Sequence, residues 1–119
     1  MRVALARALV TRPAILLLDE PFAALDDILR QQLNEELLRI WQAQGWAALF
    51  VTHNVAEAVF LSSRILVMSS HPGTIVESIE VPFDYPRLPA IRGDERFTRL
   101  TLQIGRALRE VTQARSASE

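Results

Sequence analysis

The chain has 119 residues, half of them hydrophobic, and a formal net charge of -1. That is enough for one modest domain with a core, and it argues against both a strongly basic nucleic-acid surface and a disordered tail. With no cysteine in the chain, a disulfide framework and a thiolate metal site are both excluded.

The segment Arg2 to Leu9, "RVALARAL", reads as the tail of a helix, broken at Thr11 to Pro13. Ile15 to Leu18 is a continuous aliphatic run, too short for a helix and typical of a strand buried on both faces. Pro21 to Leu25 reads as a loop. A helix is expected from Asp26 or Asp27 to about Gln44, with Ile28, Leu29, Leu33, Leu37, Ile40 and Trp41 at helical spacing and Gly45 as its stop. Ala47 to Val51 is a second buried strand. Asn54 followed by Glu57 has the form of a capping box, opening a helix to about Leu61. Arg64 to Ser69 is a third strand. Pro72-Gly73 suits the centre of a type II turn, with Thr74 to Val81 as a fourth strand, antiparallel to the third because the connection is short. Pro82 to Gly93 is rich in proline and polar residues and reads as a surface connection. Asp94 to about Val111 is an amphipathic helix, and the terminal "TQARSASE" is expected to fray. Strands alternating with helices imply an α/β layer with a mainly parallel sheet. The apolar runs are short and broken by charge, so no membrane-spanning helix is predicted. The N-terminus lacks the apolar stretch of a signal peptide, which makes the cytoplasm the expected location.

In open α/β sheets, ligands sit beyond the carboxyl ends of the strands. Asp19 and Glu20 fall at such an end, directly after "ILLL". Acids there serve either as a loop cap and a solvated charge, or as chemistry. A hydrophobic strand ending in Asp-Glu suits phosphoryl transfer. Asp19 stands close enough to hold a Mg2+ that bridges nucleotide phosphates, usually through water. Glu20, one residue further out, can accept a proton from an attacking water or orient it. The second strand, "LFVTHN", delivers His53 to the same rim, where an imidazole can donate to a phosphate oxygen or place the water.

The run "ILLLDEP", then "FAALD", then "VTH" about thirty residues later, resembles the second half of an ABC transporter ATPase subunit. In that resemblance the three stretches are the Walker B motif, the D-loop and the H-loop. "RVALARAL" resembles the helix after the family's signature sequence. "EAVFLSSRILVMSSHPGTIVESIEV" resembles the importer branch serving nitrate, sulfonate, taurine and related small molecules. The resemblance implies a partial P-loop NTPase (RecA-like) core, with a mainly parallel sheet flanked by helices, a C-terminal antiparallel hairpin and a terminal helix. It implies residues 1–81 as the C-terminal half of a nucleotide-binding domain and 82–119 as a C-terminal extension with a helix. ATP and Mg2+ are the implied cofactors, with Asp19 in the Mg2+ shell, Glu20 as the catalytic carboxylate and His53 as the γ-phosphate switch. Asp26, with Ala24 and Leu25, forms the implied D-loop facing a second ATPase subunit. The implied partners are that subunit, a transmembrane permease and, indirectly, a substrate-binding protein, with no nucleic acid. The implied location is the cytoplasmic face of the membrane, held peripherally. Asn54 stands where the family often has Asp or Ser, and all three cap helices well.

The family grips ATP with a P-loop, whose glycines expose backbone N–H groups and whose lysine reaches the phosphates. Here all thirteen basic residues are arginine, and Gly45, Gly73, Gly93 and Gly105 never cluster. The expectation is therefore half a nucleotide-binding domain, inactive alone, with Met1 an internal methionine taken as a start and apolar sheet surface left exposed. Two other readings are a non-catalytic module that pairs with an intact ATPase, and a structural α/β fragment.

Overall fold

The computed structural model describes residues 15–45, 47–70 and 73–118. The helix expected over residues 2–9 and Pro72 of the expected turn lie outside them. The chain packs as two compact units, Met1–Glu57 and Ala58–Glu119.

In the first unit, strand β1 (Ile15–Asp19) pairs in parallel with β2 (Ala47–Val51), from Ile15 opposite Ala47 to Asp19 opposite Val51. Helix α1 (Asp27–Gln44) supplies the crossover that a parallel pair requires. The side chain of Asp26 starts it by accepting from Leu29 N at 2.9 Å. Gly45 ends it in a left-handed conformation at φ 71, its N–H donating to Trp41 O. The buried stripe is Leu33, Asn34, Leu37 and Leu38, whereas Ile28 is exposed. The expected face is the covered one at Leu33 and Leu37, with Leu29, Ile40 and Trp41 half-buried; Asn34 and Leu38 widen it on one side, and Ile28 alone among the expected residues is left bare. Each such leucine contributes about 1.5–3 kcal/mol by leaving water. Asn34 Oδ1 is buried without a hydrogen-bond partner.

The expectation that the first two strands are buried on both faces is corrected. Leu16 is 4% exposed but Ile15 and Leu17 are 63% and 69% exposed. The parallel register puts Leu49 and Val51 on the same side as Ile15 and Leu17, and they too are exposed. Among the described residues, one face of this sheet is partly covered, with Leu16 buried and Leu18 and Phe50 half-buried, and the other is a bare apolar surface.

In the second unit, β3 (Arg64–Ser70) pairs with β4 (Gly73–Glu80) antiparallel. The register slips between Val67 and Met68, which pair with Glu77 and Ile75 and leave Val76 as the extra residue of a bulge. Gly73 opens β4 opposite Ser70, so it belongs to the ladder and is not the centre of a turn. A 3-10 turn (Pro89–Gly93) leads to α3 (Glu95–Ser118), which lies against β3. Asp94 caps α3 by accepting from Arg96 N at 2.8 Å. That helix runs seven residues past Val111 through the stretch expected to fray, since no proline or glycine follows Gly105 to break it. The core of this unit contains Val59, Phe60, Ile65, Val67, Ile79, Val81, Phe83, Phe97, Leu100 and Ile104. The rings of Phe83 and Phe97 stack at 6.2 Å, and Arg92 lies 4.1 Å above Phe60.

The segment from Pro82 to Gly93 is mostly exposed, as expected of a surface connection, but it is also anchored inward. Phe83 and Arg87 within it are buried. The reason is helix α2 (Val55–Leu61), whose terminal carbonyls this segment satisfies.

Candidate functional site

Parallel pairing fixes the location of the acid pair. Asp19 is the last residue of β1 and pairs with Val51, the last of β2. Glu20 N donates to Val51 O at 2.8 Å, extending the ladder by one bond. His53 follows β2 by two residues, so Asp19, Glu20 and His53 all stand at the carboxyl ends of adjacent strands. His53 Nε2 lies 3.1 Å from Glu20 Oε1. The imidazole is 86% exposed and the carboxylate 34%, so the pair is open to a ligand from solvent and adds little to stability.

Glu20 has φ 45, the only positive φ outside glycine among the described residues. For a residue with a Cβ this region costs about 1–3 kcal/mol and persists only when its surroundings impose it. Here they do: the Glu20 N–H is held by Val51 O, and Glu20 O accepts from Ala23 N at 3.3 Å. The reversal turns the chain sharply off the strand end and leaves the carboxylate beside His53.

The loop that follows is anchored from two sides. Phe22, 1% exposed, packs near Phe50 with ring centroids 6.1 Å apart. Arg30 reaches back from α1, its Nη2 donating to Leu25 O at 3.0 Å and Ala23 O at 3.3 Å, and its Nε to Phe22 O at 3.4 Å. Asp27 pairs with the same guanidinium at 3.2 Å. Arg30 was missed by the reading of the sequence. Its only local signal is its place four residues after the helix cap, on the turn that faces the loop. Arg30→Ala is expected to loosen residues 22–25 at a cost of about 1–3 kcal/mol. Amide exchange at Leu25, whose N–H is bonded to Phe22 O at 3.1 Å, reads this directly; unchanged exchange there would show that the loop does not depend on Arg30.

Asp26 is therefore an exposed cap of α1, separated from the Glu20–His53 pair by the intervening loop. A shallow depression of about 580 Å³ beside it is lined by Asp26, Asp27, Ile28, Leu29 and Gln32. On the His53 side, Asn54 Oδ1 accepts from Glu57 N at 2.9 Å, the first half of a capping box. The reciprocal half is altered: Asn54 N donates to Thr52 Oγ1 at 3.0 Å, and the buried Glu57 Oε2 has no partner.

No group of three or more His, Asp or Glu residues suited to a metal ion occurs among the described residues. A lone hard carboxylate such as Asp19 fits a Mg2+ that takes most of its ligands from water and nucleotide phosphates. It does not fit a cation caged by protein. For ATP itself the fit is partial, since a phosphate cradle of clustered glycines with a lysine is not among these 119 residues.

No family model matches the chain. Curated relatives do. The nitrate import ATP-binding protein NrtD of Synechococcus elongatus is 48% identical over 101 residues, covering 83% of this chain and 37% of that protein. The aliphatic sulfonates import ATP-binding protein SsuB of Bacillus anthracis is 52% identical over 86 residues, covering 72% of this chain and 34% of that protein. A putative ATP-binding protein of Brucella abortus is 41% identical over 107 residues, covering 90% of this chain and 41% of that protein. The chain thus spans well under half the length of these relatives.

Proposed function

Because this chain belongs with the ATP-binding proteins of ABC importers, we propose that it carries the hydrolytic half of an ATPase site that energises uptake of a small molecule. The relatives named for nitrate and aliphatic sulfonates suggest a small anion of that kind as the cargo. The observation that carries the reading is the Glu20–His53 pair, 3.1 Å apart beyond the ends of two parallel strands. Such a pair, beside a second carboxylate, suits activation of a water for attack on a phosphate.

In this reading Glu20 takes the proton of the attacking water, its left-handed backbone leaving the carboxylate beside His53. His53 fixes the Glu20 carboxylate through Nε2 and presents its other edge to a phosphate oxygen. Asp19 holds the outer shell of a Mg2+, which when bound would neutralise charge on the phosphates. Asp26, with Ala24 and Leu25, meets a second ATPase subunit, so the anchoring of this loop by Arg30 serves the dimer. The phosphate cradle comes from a P-loop region outside these residues, within a RecA-like core to which the parallel pair β1 and β2 contributes. Residues 1–81 then belong to the nucleotide-binding domain and 82–119 to an extension of it. A permease and, through it, a substrate-binding protein complete the assembly at the cytoplasmic face of a membrane. No helix among the described residues is long and apolar enough to cross one.

The test is His53→Ala in a protein that joins this segment to a P-loop region. Phosphate release is expected to fall steeply with ATP still bound, and a near-normal rate would overturn the assignment. The chain alone is expected to show no Glu20-dependent release of phosphate. A second reading, a module that lends a surface to an intact ATPase, draws on the bare face of Ile15, Leu17, Leu49 and Val51. Co-purification with an intact ATPase, without activity of its own in the joined protein, would favour it.

A further inference from the structure

Helix α2 has seven residues, too few to be stable by itself. Its last carbonyls also need partners from outside the helix. The segment after Pro82 supplies them. Arg87 Nη1 donates to Val59 O and Phe60 O at 3.0 Å each and to Ser62 O at 2.8 Å. The Tyr85 hydroxyl donates to Leu61 O at 2.9 Å, and Ser62 N closes the remaining carbonyl, Ala58 O, at 3.0 Å. Arg87 is itself locked in place. It is 6% exposed, its Nε and Nη2 donate to Phe83 O at 3.2 and 2.8 Å, and its guanidinium lies 4.1 Å from the centroid of the Tyr85 ring. A cation at a helix C-terminus also meets the negative end of the helix dipole.

The other end of α2 is fixed by Asn54, through Glu57 N, and by Thr52, through Asn54 N. His53 lies between Thr52 and Asn54, inside that turn. The helix is therefore held at both ends by side chains, and the candidate switch histidine belongs to its N-terminal fastening.

We propose that Arg87, assisted by Tyr85, is a positioning residue for His53. By capping the C-terminal carbonyls of α2 it keeps the helix formed. The formed helix keeps Glu57 N within reach of Asn54, and so holds the turn that presents His53 to Glu20. A helix this short has no independent middle, so loss of one end is felt at the other. The inference rests on the reading of His53 as a site residue, but its test needs neither nucleotide nor turnover.

The experiment measures amide exchange and the His53 imidazole resonances by NMR on the full chain, in Tyr85→Phe and Arg87→Lys. Tyr85→Phe removes the donor to Leu61 O while preserving bulk, and Arg87→Lys keeps the charge and part of the capping but loses the planar fork of donors, a much smaller loss than deleting the guanidinium. The Asn54 and Glu57 amides are expected to exchange about five- to tenfold faster, the loss of a hydrogen bond's worth of protection. The His53 resonances are expected to move with them, while amides of β3 and β4 stay within about twofold of wild type. Unchanged Asn54 and Glu57 amides in both variants overturn the proposal. So does acceleration of β3 and β4 by the same factor, which would mark a loss of general stability only. Because the readout is the geometry of the turn, its failure is distinct from failure of the ATPase reading, which the turnover of His53→Ala decides.

Discussion

Glu20→Gln is expected to lower phosphate release from ATP by about 10²–10⁴-fold in a protein that joins this segment to a P-loop region. Nucleotide binding should change little. The amide keeps the volume of the carboxylate and the backbone bond from Glu20 N to Val51 O, so the strand end keeps its shape. What it loses is the ability to take a proton. The contact with His53 survives only as a hydrogen bond to a neutral acceptor, and since the imidazole is largely open to water that change adds little to stability. Steady-state phosphate release, paired with equilibrium binding of ATP, separates the two effects. A rate within a few-fold of wild type would remove Glu20 from the chemistry, whereas a parallel loss of binding would mean that the carboxylate acts on the bound metal or on the loop.

The second large effect is structural. Arg87→Met is expected to destabilise the second unit by about 3–5 kcal/mol, as for other buried charged networks broken from one side. The methionine fills much of the space but donates no hydrogen bond. The carbonyls of Val59, Phe60, Ser62 and Phe83 would each lose a donor. Burial also pulls the Arg87 guanidinium below its ordinary pKa, with Tyr85 and Asp84 opposing that pull, yet an arginine remains charged throughout the accessible range. Urea or thermal unfolding followed at the second unit checks the prediction. A melting temperature near that of wild type would show that water or rearranged side chains cap α2 equally well. The neighbouring phenol gives the cap a pH limit. Burial raises the Tyr85 pKa above the ordinary value of 10.0, although Arg87 works against the shift. The unfolded chain therefore ionises first. The contribution of Tyr85 is complete below its unfolded pKa and is lost as pH rises through the folded one. Tyr85→Phe should abolish that alkaline component.

Local chemistry in the sequence is enough to place most of the first unit. Asp26, Gly45 and Asn54 act within three or four residues of themselves, so each cap is visible as a residue type at the right distance from an apolar pattern. The adjacency of β1 and β2 follows from one helix between two short aliphatic runs, because a crossover of that length returns the chain parallel to its start. From that adjacency alone, Asp19, Glu20 and His53 must share a rim.

Other features depend on atoms distant in sequence, and no local window contains them. Arg87 bonds residues 25 to 28 positions earlier, so a stretch that reads as polar and proline-rich is in fact wrapped around a helix end. The left-handed turn at Glu20 is imposed by Val51, thirty-one positions away, against the preference of a residue with a Cβ. The aliphatic run Ile15–Leu18 fits a strand covered on one face or on two, and only the packing of the described residues leaves Ile15 and Leu17 bare while Leu16 is covered. The residue sequence by itself determined which elements form and at which strand ends the reactive groups stand, because capping, periodicity and crossover length are short-range constraints. The tertiary structure alone decided how those groups are held, because unsatisfied carbonyls and strained backbone are relieved by whichever donors the fold brings to them.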